Sequence, residues 1–314
     1  MTRFGLQIPG FAFPGVDDRD MFEHVADIAV TGENAGFDSI WVMDHFWQLP
    51  PLGGPDAPIL EAYTLLGALA ARTQRAELGT LVTGVTYRNP ALVAKLVTTL
   101  DVISRGRAIC GIGAAWYEEE HVGLGFDYPT VRERMDRLEE ALTIIKAMFT
   151  VDAPTYEGRY YRIRGAKNVP RPLRAGGPPI LIGGDGERRT LRLVAQYADF
   201  CNIHGGPATI RHKLEVLRGH CDDVSRDPSE ITKSWLGTLV LTDTAEEAEG
   251  VKELLRGVIG PDFEERSIVG DENGVIERVT ALVDAGLDMI IVNMPTSDTD
   301  AVGRAGELLT SKLG

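Results

Sequence analysis

Cysteine is scarce in this sequence: three residues, Cys110, Cys201 and Cys221, among 314. They are odd in number and far apart, which argues against a disulfide framework and gives no zinc-ligand spacing, so reduced thiols are expected. Long apolar runs are missing as well, and none reaches the ~18 residues of a membrane span. Met1 to Gly10 passes directly into a strand-like run without a signal-peptide layout, which makes a cytoplasmic location the expectation. Basic residues are in short supply, 32 Lys and Arg against 46 Asp and Glu, for a net charge of -14. A nucleic-acid partner, which needs a basic face, is thereby disfavoured. A small acidic ligand is not, because a local cationic cluster suffices to bind it. No G-x-S-x-G elbow, P-loop or Cys/His pairing occurs, so hydrolase and kinase chemistry lose ground.

What the chain does have is rhythm. Short apolar runs lie near 3–8, 38–42, 77–83, 107–112, 180–183, 199–203, 233–241 and 288–292. Helix-period segments fall near 19–35, 59–73, 90–104, 130–149, 186–197, 207–224, 244–257 and 273–285, with a tail helix near 299–312. Strand after helix in this order predicts a (β/α)8 barrel, with an open doubly wound sheet as the other arrangement the pattern allows. No linker divides the chain, so one domain over 1–314 is expected. Two irregular stretches, 44–58 and 150–178, read as insertions after strand two and before strand five, placed beside the site.

Punctuation supports the element boundaries. Asn89-Pro90 fits an N-cap followed by Pro at the first helical position, and Thr130 with Glu133 fits a capping box. Gly36 and Gly286 sit just past helix ends, where a left-handed residue is wanted. Ala35-Gly36-Phe37-Asp38-Ser39-Ile40-Trp41-Val42 is echoed by Ala285-Gly286-Leu287-Asp288-Met289-Ile290-Ile291-Val292, a helix-to-strand corner used twice.

In a barrel the chemistry gathers at the C-terminal ends of the strands. Those ends carry Gln7, Asp44-His45-Phe46, Leu81-Val82-Thr83, Gly111-Ile112-Gly113 followed by Trp116, Gly183-Gly184-Asp185-Gly186, His204 and Asn293. Gly183, Gly184 and Gly186, followed by Arg188 and Arg189, suit a phosphate at a helix start; the bland alternative is a tight corner with solvated arginines. Gly111 and Gly113 make only a truncated dinucleotide fingerprint, and are better read as room for a planar ligand. His45 is the candidate general acid/base, with rim packing as its alternative. His204 is read as packing, and His24, His121, His212 and His220 as surface residues. Glu118-Glu119-Glu120-His121 lacks H-E-x-x-H spacing; it reads as a solvated helix start, and no metal is expected. Trp47, Trp116 and Tyr117 could wall a planar substrate, whereas Trp41 belongs to the core.

These motifs resemble the luciferase-like monooxygenase superfamily. The resemblance lies in Leu78-Gly79-Thr80-Leu81-Val82-Thr83-Gly84-Val85-Thr86-Tyr87-Arg88-Asn89-Pro90 and in the run from Gly106 to Glu120, and it extends from Phe4 to the eighth strand. It implies a barrel that binds FMN or the 5-deazaflavin coenzyme F420, and a dimer. Asp44-His45-Phe46 looks like the F420-dependent branch. By that match Asp44 and His45 face the deazaflavin ring, and Trp116 shapes the substrate pocket. A non-prolyl cis peptide at Leu81–Val82 is expected under the ring, with Thr83 nearby, and Gly113 lies where a planar ligand approaches. Gly183, Gly184, Gly186 and Arg188 align with the cofactor-phosphate loop. The F420-dependent glucose-6-phosphate dehydrogenases of this family carry a catalytic Glu where this chain has Trp116, so neither their substrate nor that acid role transfers. The expected activity is hydride transfer between F420 and a small organic substrate. An FMN-dependent monooxygenase is the second reading, and a flavin- or deazaflavin-binding protein without turnover the third.

Overall fold

In β1 (Arg3–Ile8), Phe4, Leu6 and Ile8 alternate with Gly5 and Gln7. The period of two sends the apolar set outward against the helices and leaves the other set facing the barrel axis. The computed structural model describes residues 2–314. Seven more parallel strands follow: β2 (Ser39–Val42), β3 (Glu77–Thr80), β4 (Ala108–Gly113), β5 (Ile180–Gly183), β6 (Phe200–Ile203), β7 (Thr232–Leu241) and β8 (Met289–Asn293). Each pairs with the next, and β8 pairs with β1, so the sheet closes on itself. Closure, which the sequence pattern left open, is therefore observed.

Two cores result. Outside the barrel, Leu6, Ile40, Leu78, Cys110, Ile182 and Val292 belong to one apolar layer under the helices. Inside it, Trp41, Leu81, Ile109, Leu181, Phe200, Met289 and Ile291 fill the axis. Trp41 fits there because its neighbours are small. A Cβ added at Gly79 would stand 2.8 Å from Trp41 Cζ3, and one at Gly5 2.9 Å from Trp41 Nε1.

The sheath comprises α1 (Met21–Asn34), α2 (Ala62–Arg72), α3 (Pro90–Ile103), α4 (Glu118–Leu124), α5 (Val131–Thr150), α6 (Thr190–Tyr197), α7 (Pro207–Asp223), α8 (Ala245–Ile259), α9 (Glu272–Val283) and α10 (Thr299–Leu313). The expected caps are in place. Asn89 Oδ1 accepts from Ala91 N at 2.9 Å and Thr130 Oγ1 from Glu133 N at 3.3 Å. Gly36 and Gly286 adopt φ of 99° and 109°, which a side chain would resist.

The helix start read at Glu118 is present as the short helix α4, but a two-residue-per-strand hairpin at Tyr156–Glu157 and Arg162–Ile163, a helical turn at Phe263–Arg266 and a strand at Ser267–Gly270 that pairs with the second half of β7 were not anticipated. Each is too short, or too polar, to give a periodic signal of its own. All three cysteines are buried and unpaired. Among the described residues no helix is long and apolar enough to cross a membrane.

Candidate active site

At the C-terminal mouth the end of β2 enters a dense polar cluster. Asp44 is fully buried, and Arg88 Nη1 lies 2.6 Å from its Oδ2 while Nη2 lies 2.7 Å from Glu61 Oε1. The same guanidinium stands over the rings of Phe46 and Tyr63, at 5.4 and 5.1 Å. Burial pushes the Asp44 carboxyl above its ordinary range, against the pull of Arg88.

The next residue, His45, places Nδ1 at 3.1 Å from Glu120 Oε2. Glu120 is completely buried and serves as a hub. It accepts from the backbone N–H of Phe46, from that of Trp47 at 2.8 Å, and from the Tyr87 hydroxyl. Burial alone would raise its pKa, but the donors, His45 and Tyr87 foremost, outweigh it and hold the carboxyl below the usual 4.5. An ionised carboxylate only accepts hydrogen bonds. Nδ1 of His45 therefore carries the proton, and in the neutral ring Nε2 offers a free lone pair. The edge of His45 meets Trp116 at 5.6 Å and Tyr117 at 5.8 Å between centroids.

The expectation of a solvated start at Glu118-Glu119-Glu120-His121 is corrected here. Glu118 and Glu119 are exposed, but Glu120 and His121 are buried. The helix turns Tyr117, Glu120 and His121 inward together at i, i+3 and i+4. His121 is no surface residue: Nδ1 lies 2.6 Å from the Tyr117 carbonyl, Nε2 lies 2.6 Å from Thr86 Oγ1, and the ring stacks on Tyr87 at 4.6 Å. His24 and His220 are likewise half-buried, and only His212 of the four is exposed. His24 packs on Phe13 and His220 Nε2 reaches the Glu187 carbonyl at 2.7 Å. No cluster of His, Cys, Asp and Glu that could hold a metal occurs among the described residues.

Strand three delivers its residues to the same mouth. The Leu81–Val82 peptide is cis, at the position expected. Leu81 caps the interior core, and its carbonyl accepts from Gln7 Nε2 at 3.3 Å. Val82 lies against both Gly113 and Gly183, where an added Cβ would come within 2.8 and 3.0 Å of it. Gly113 thus makes room for Val82 from within the chain. Thr83 is fully buried, its hydroxyl 2.7 Å from Tyr63 Oη and 2.9 Å from Thr80 Oγ1, so it braces the bend after β3. Trp116 is 59% exposed and stacked on Tyr117, a wall at the rim next to His45.

Across the mouth the β5 loop looks different. Gly184 takes φ 127°, and Gly186 precedes an exposed Arg188 that makes no ion pair or side-chain hydrogen bond among the described residues. Asp185, whose charge would oppose an anion, is turned onto His204: its oxygens lie 2.9 Å from His204 N and 3.1 Å from Nδ1. Lys213 Nζ donates to the Asp185 carbonyl at 2.8 Å. Arg189, by contrast, is held by Asp136 at 2.7 Å. Sequence reasoning singled out Asp44, His45 and this loop, which the fold brings to one mouth, but not Glu120, Tyr87, Arg88 or Glu61, which pack around the first two. The inward spacing of Tyr117, Glu120 and His121 was the available signal for Glu120.

The profile of the luciferase-like monooxygenase family matches residues 2–259. An F420-dependent glucose-6-phosphate dehydrogenase of Nocardia farcinica (strain IFM 10152) is 31% identical over 312 residues, covering 87% of this chain and 88% of that protein. A protein of the same name from Microbacterium testaceum (strain StLB037) is 39% identical over 214 residues; the match spans 68% of this chain and just over half, 56%, of that relative. Among solved structures, an F420-dependent secondary alcohol dehydrogenase in complex with an F420-acetone adduct superposes with a TM-score of 0.81 at 20% identity, covering 99% of this chain and 97% of that one.

Proposed function

The chain belongs to the luciferase-like monooxygenase family, and from that premise we propose that it is an F420-dependent oxidoreductase moving a hydride between the deazaflavin and a small organic substrate. The observation that carries this reading is His45, oriented by the buried Glu120 at the C-terminal mouth. Names of relatives that cover most of the chain point to the same cofactor.

The residues present fit the cofactor. Asp44 Oδ1 is buried without a hydrogen-bond partner, an unspent acceptor of the kind a ring N–H requires. On the opposite side Gly184, Gly186 and the unpaired Arg188 provide backbone and cation for a phosphate. When bound, a 5-deazaflavin supplies two-electron hydride chemistry; the protein supplies placement and proton handling. His45 Nε2 takes the hydroxyl proton of a substrate being oxidised, or returns it in the reverse direction. The imidazolium that forms is stabilised by the ionised Glu120 on Nδ1, as a carboxylate behind a catalytic histidine does elsewhere. Trp116 and Tyr117 cover one flank and limit water. Glucose 6-phosphate is not carried over, because the family resemblance implies a catalytic Glu in the glucose-6-phosphate dehydrogenases at the place where this chain has Trp116. A homodimer of single-domain chains over 1–314, in the cytoplasm and without a nucleic-acid partner, completes the proposal.

Titration of the purified protein with F420 and separately with FMN, read by cofactor fluorescence, tests it. Preference for F420 is the expected result, and preference for FMN would favour an oxygen-activating monooxygenase instead. His45→Ala should retain F420 binding and lose about 100- to 10,000-fold in kcat. An unchanged kcat would mean that His45 only binds.

A further inference from the structure

Glu120 divides its two oxygens between different kinds of donor. Oε1 takes the backbone N–H groups of Phe46 and Trp47, which pins the carboxylate to the loop after β2. Oε2 takes two side chains, His45 Nδ1 at 3.1 Å and the Tyr87 hydroxyl. An imidazole that handles a proton and a phenol that keeps its own therefore share one oxygen. Burial first, and then the bond to the Glu120 carboxylate, push the Tyr87 hydroxyl far above its ordinary range, so it remains a donor at every working pH.

Tyr87 is built into this place. The residue is buried, His121 stacks on its ring at 4.6 Å, and Phe46 and Phe126 meet it at 5.2 and 5.6 Å. Gly84 leaves the ring its space, since an added Cβ there would lie 2.6 Å from Tyr87 Cε2. Those packing contacts would serve a phenylalanine equally. Only the bond to Oε2 requires the hydroxyl.

A carboxylate behind an imidazole raises its affinity for a proton, and a buried carboxylate does so strongly. A base that keeps its proton through the neutral range cannot take one from a substrate. A second donor on the same oxygen draws electron density away from it and weakens its hold on Nδ1–H. We infer that Tyr87 is a positioning residue that sets the basicity of His45, by sharing Glu120 Oε2 with it and so restraining the pull of the carboxylate on the imidazolium. The inference rests on the reading of His45 as the group that handles the proton.

Other charged and titratable groups face this cluster. Asp44 comes from the end of β2 and Arg88 from the start of α3, with Glu61 behind Arg88. Both Asp44 and Arg88 act on the Tyr87 hydroxyl. From α4 come Tyr117, whose ring meets the edge of His45, and Glu119 beside Tyr117. His121 is held by the Tyr117 carbonyl and Thr86 Oγ1. Tyr87→Phe removes none of these groups, so a change in His45 reports the donor lost from Oε2.

The test uses the cofactor-free chain, isotopically labelled in its six histidine rings and titrated with acid and base under NMR observation. The ring signal missing from His45→Gln identifies His45. In Tyr87→Phe its midpoint should move to higher pH by about half a unit to one unit, a roughly three- to tenfold tighter hold on the proton. Fluorotyrosine incorporated at the same position is a stronger acid and donor, and should move the midpoint the opposite way. Thr86→Val loosens the brace on His121 without touching Oε2, and should leave the midpoint where it is. An unmoved or lowered midpoint in Tyr87→Phe, or an equal rise in Thr86→Val, would overturn the inference. Should the phenylalanine variant not fold, the fluorotyrosine arm decides alone, and an unmoved or raised midpoint there would overturn it. No cofactor takes part, so failure of the chain to bind F420 would overturn the proposed function and leave this result standing.

Discussion

Between β2 and β4 the mouth is a closed network: Asp44 faces Arg88, Arg88 reaches Glu61, and Glu120 gathers His45, Tyr87 and two backbone donors. Between β5 and β6 the same mouth offers glycines, an exposed Arg188 and a loop held by a few bonds to His204 and Lys213. The first region spends its polar groups on itself, apart from His45 Nε2, Asp44 Oδ1 and the Tyr117 hydroxyl. The second keeps them available. Rigid placement suits a proton transfer, where small misplacements are expensive, whereas a phosphate needs donors that are still free to bind it.

The largest expected effect comes from breaking the closed side at its cation. Arg88→Met leaves the buried Asp44 without its counter-charge and should cost about 3–5 kcal/mol of stability, measured by urea unfolding. A loss below about 1 kcal/mol would mean that Asp44 is neutral in the folded protein, and the contrast between the two sides would weaken. Glu120→Gln keeps the volume but brings an amide that cannot accept from four donors, so a loss of roughly 1–3 kcal/mol is expected, together with a fall in kcat.

That variant also carries a pH signature. The folded pKa of Glu120 is depressed below the ordinary 4.5, so its stabilisation is complete above about that pH and is lost as the pH falls through the lower folded value. Unfolding free energies taken between pH 6 and pH 3 should therefore fall less steeply in Glu120→Gln than in the parent; identical slopes would remove Glu120 from the account. The smallest effect on stability should come from the open side. Arg188→Ala is expected to change it by no more than about 0.5 kcal/mol, while weakening F420 by about tenfold through loss of a charged contact. If it destabilised the protein as Arg88→Met does, the two sides would not differ in the way described.

Much of this architecture is legible in the amino-acid sequence. The strand runs and the caps at Asn89 and Thr130 are local signals, and the glycines at 36 and 286 announce their own backbone geometry. Asp44, His45 and the β5 loop stand out because a barrel collects its chemistry at strand ends. Glu120 does not, because its burial depends on a bond to a residue 75 positions away, and its helical spacing from Tyr117 and His121 is a signal only one turn long. Arg88 falls within a recognisable motif, yet the motif assigns it no role, since its partners Asp44 and Glu61 come from other loops. The Ser267–Gly270 strand escapes notice because its four residues exist as a strand only by pairing with β7.

That last pairing has a consequence for how the fold tolerates change. β7 is divided along its length: residues 232–235 join β6, residues 234–238 join β8, and residues 238–241 carry the additional strand. The ring therefore closes through residues 232–238 of β7 alone, and the stagger that sets a barrel's girth does not involve the excursion through α8. Everything from residue 242 to residue 270 hangs from the rim like a bracket on a finished wall. Changes of length or shape within that bracket leave the residues that close the ring, 232–238 of β7 and 289–293 of β8, with their pairings intact.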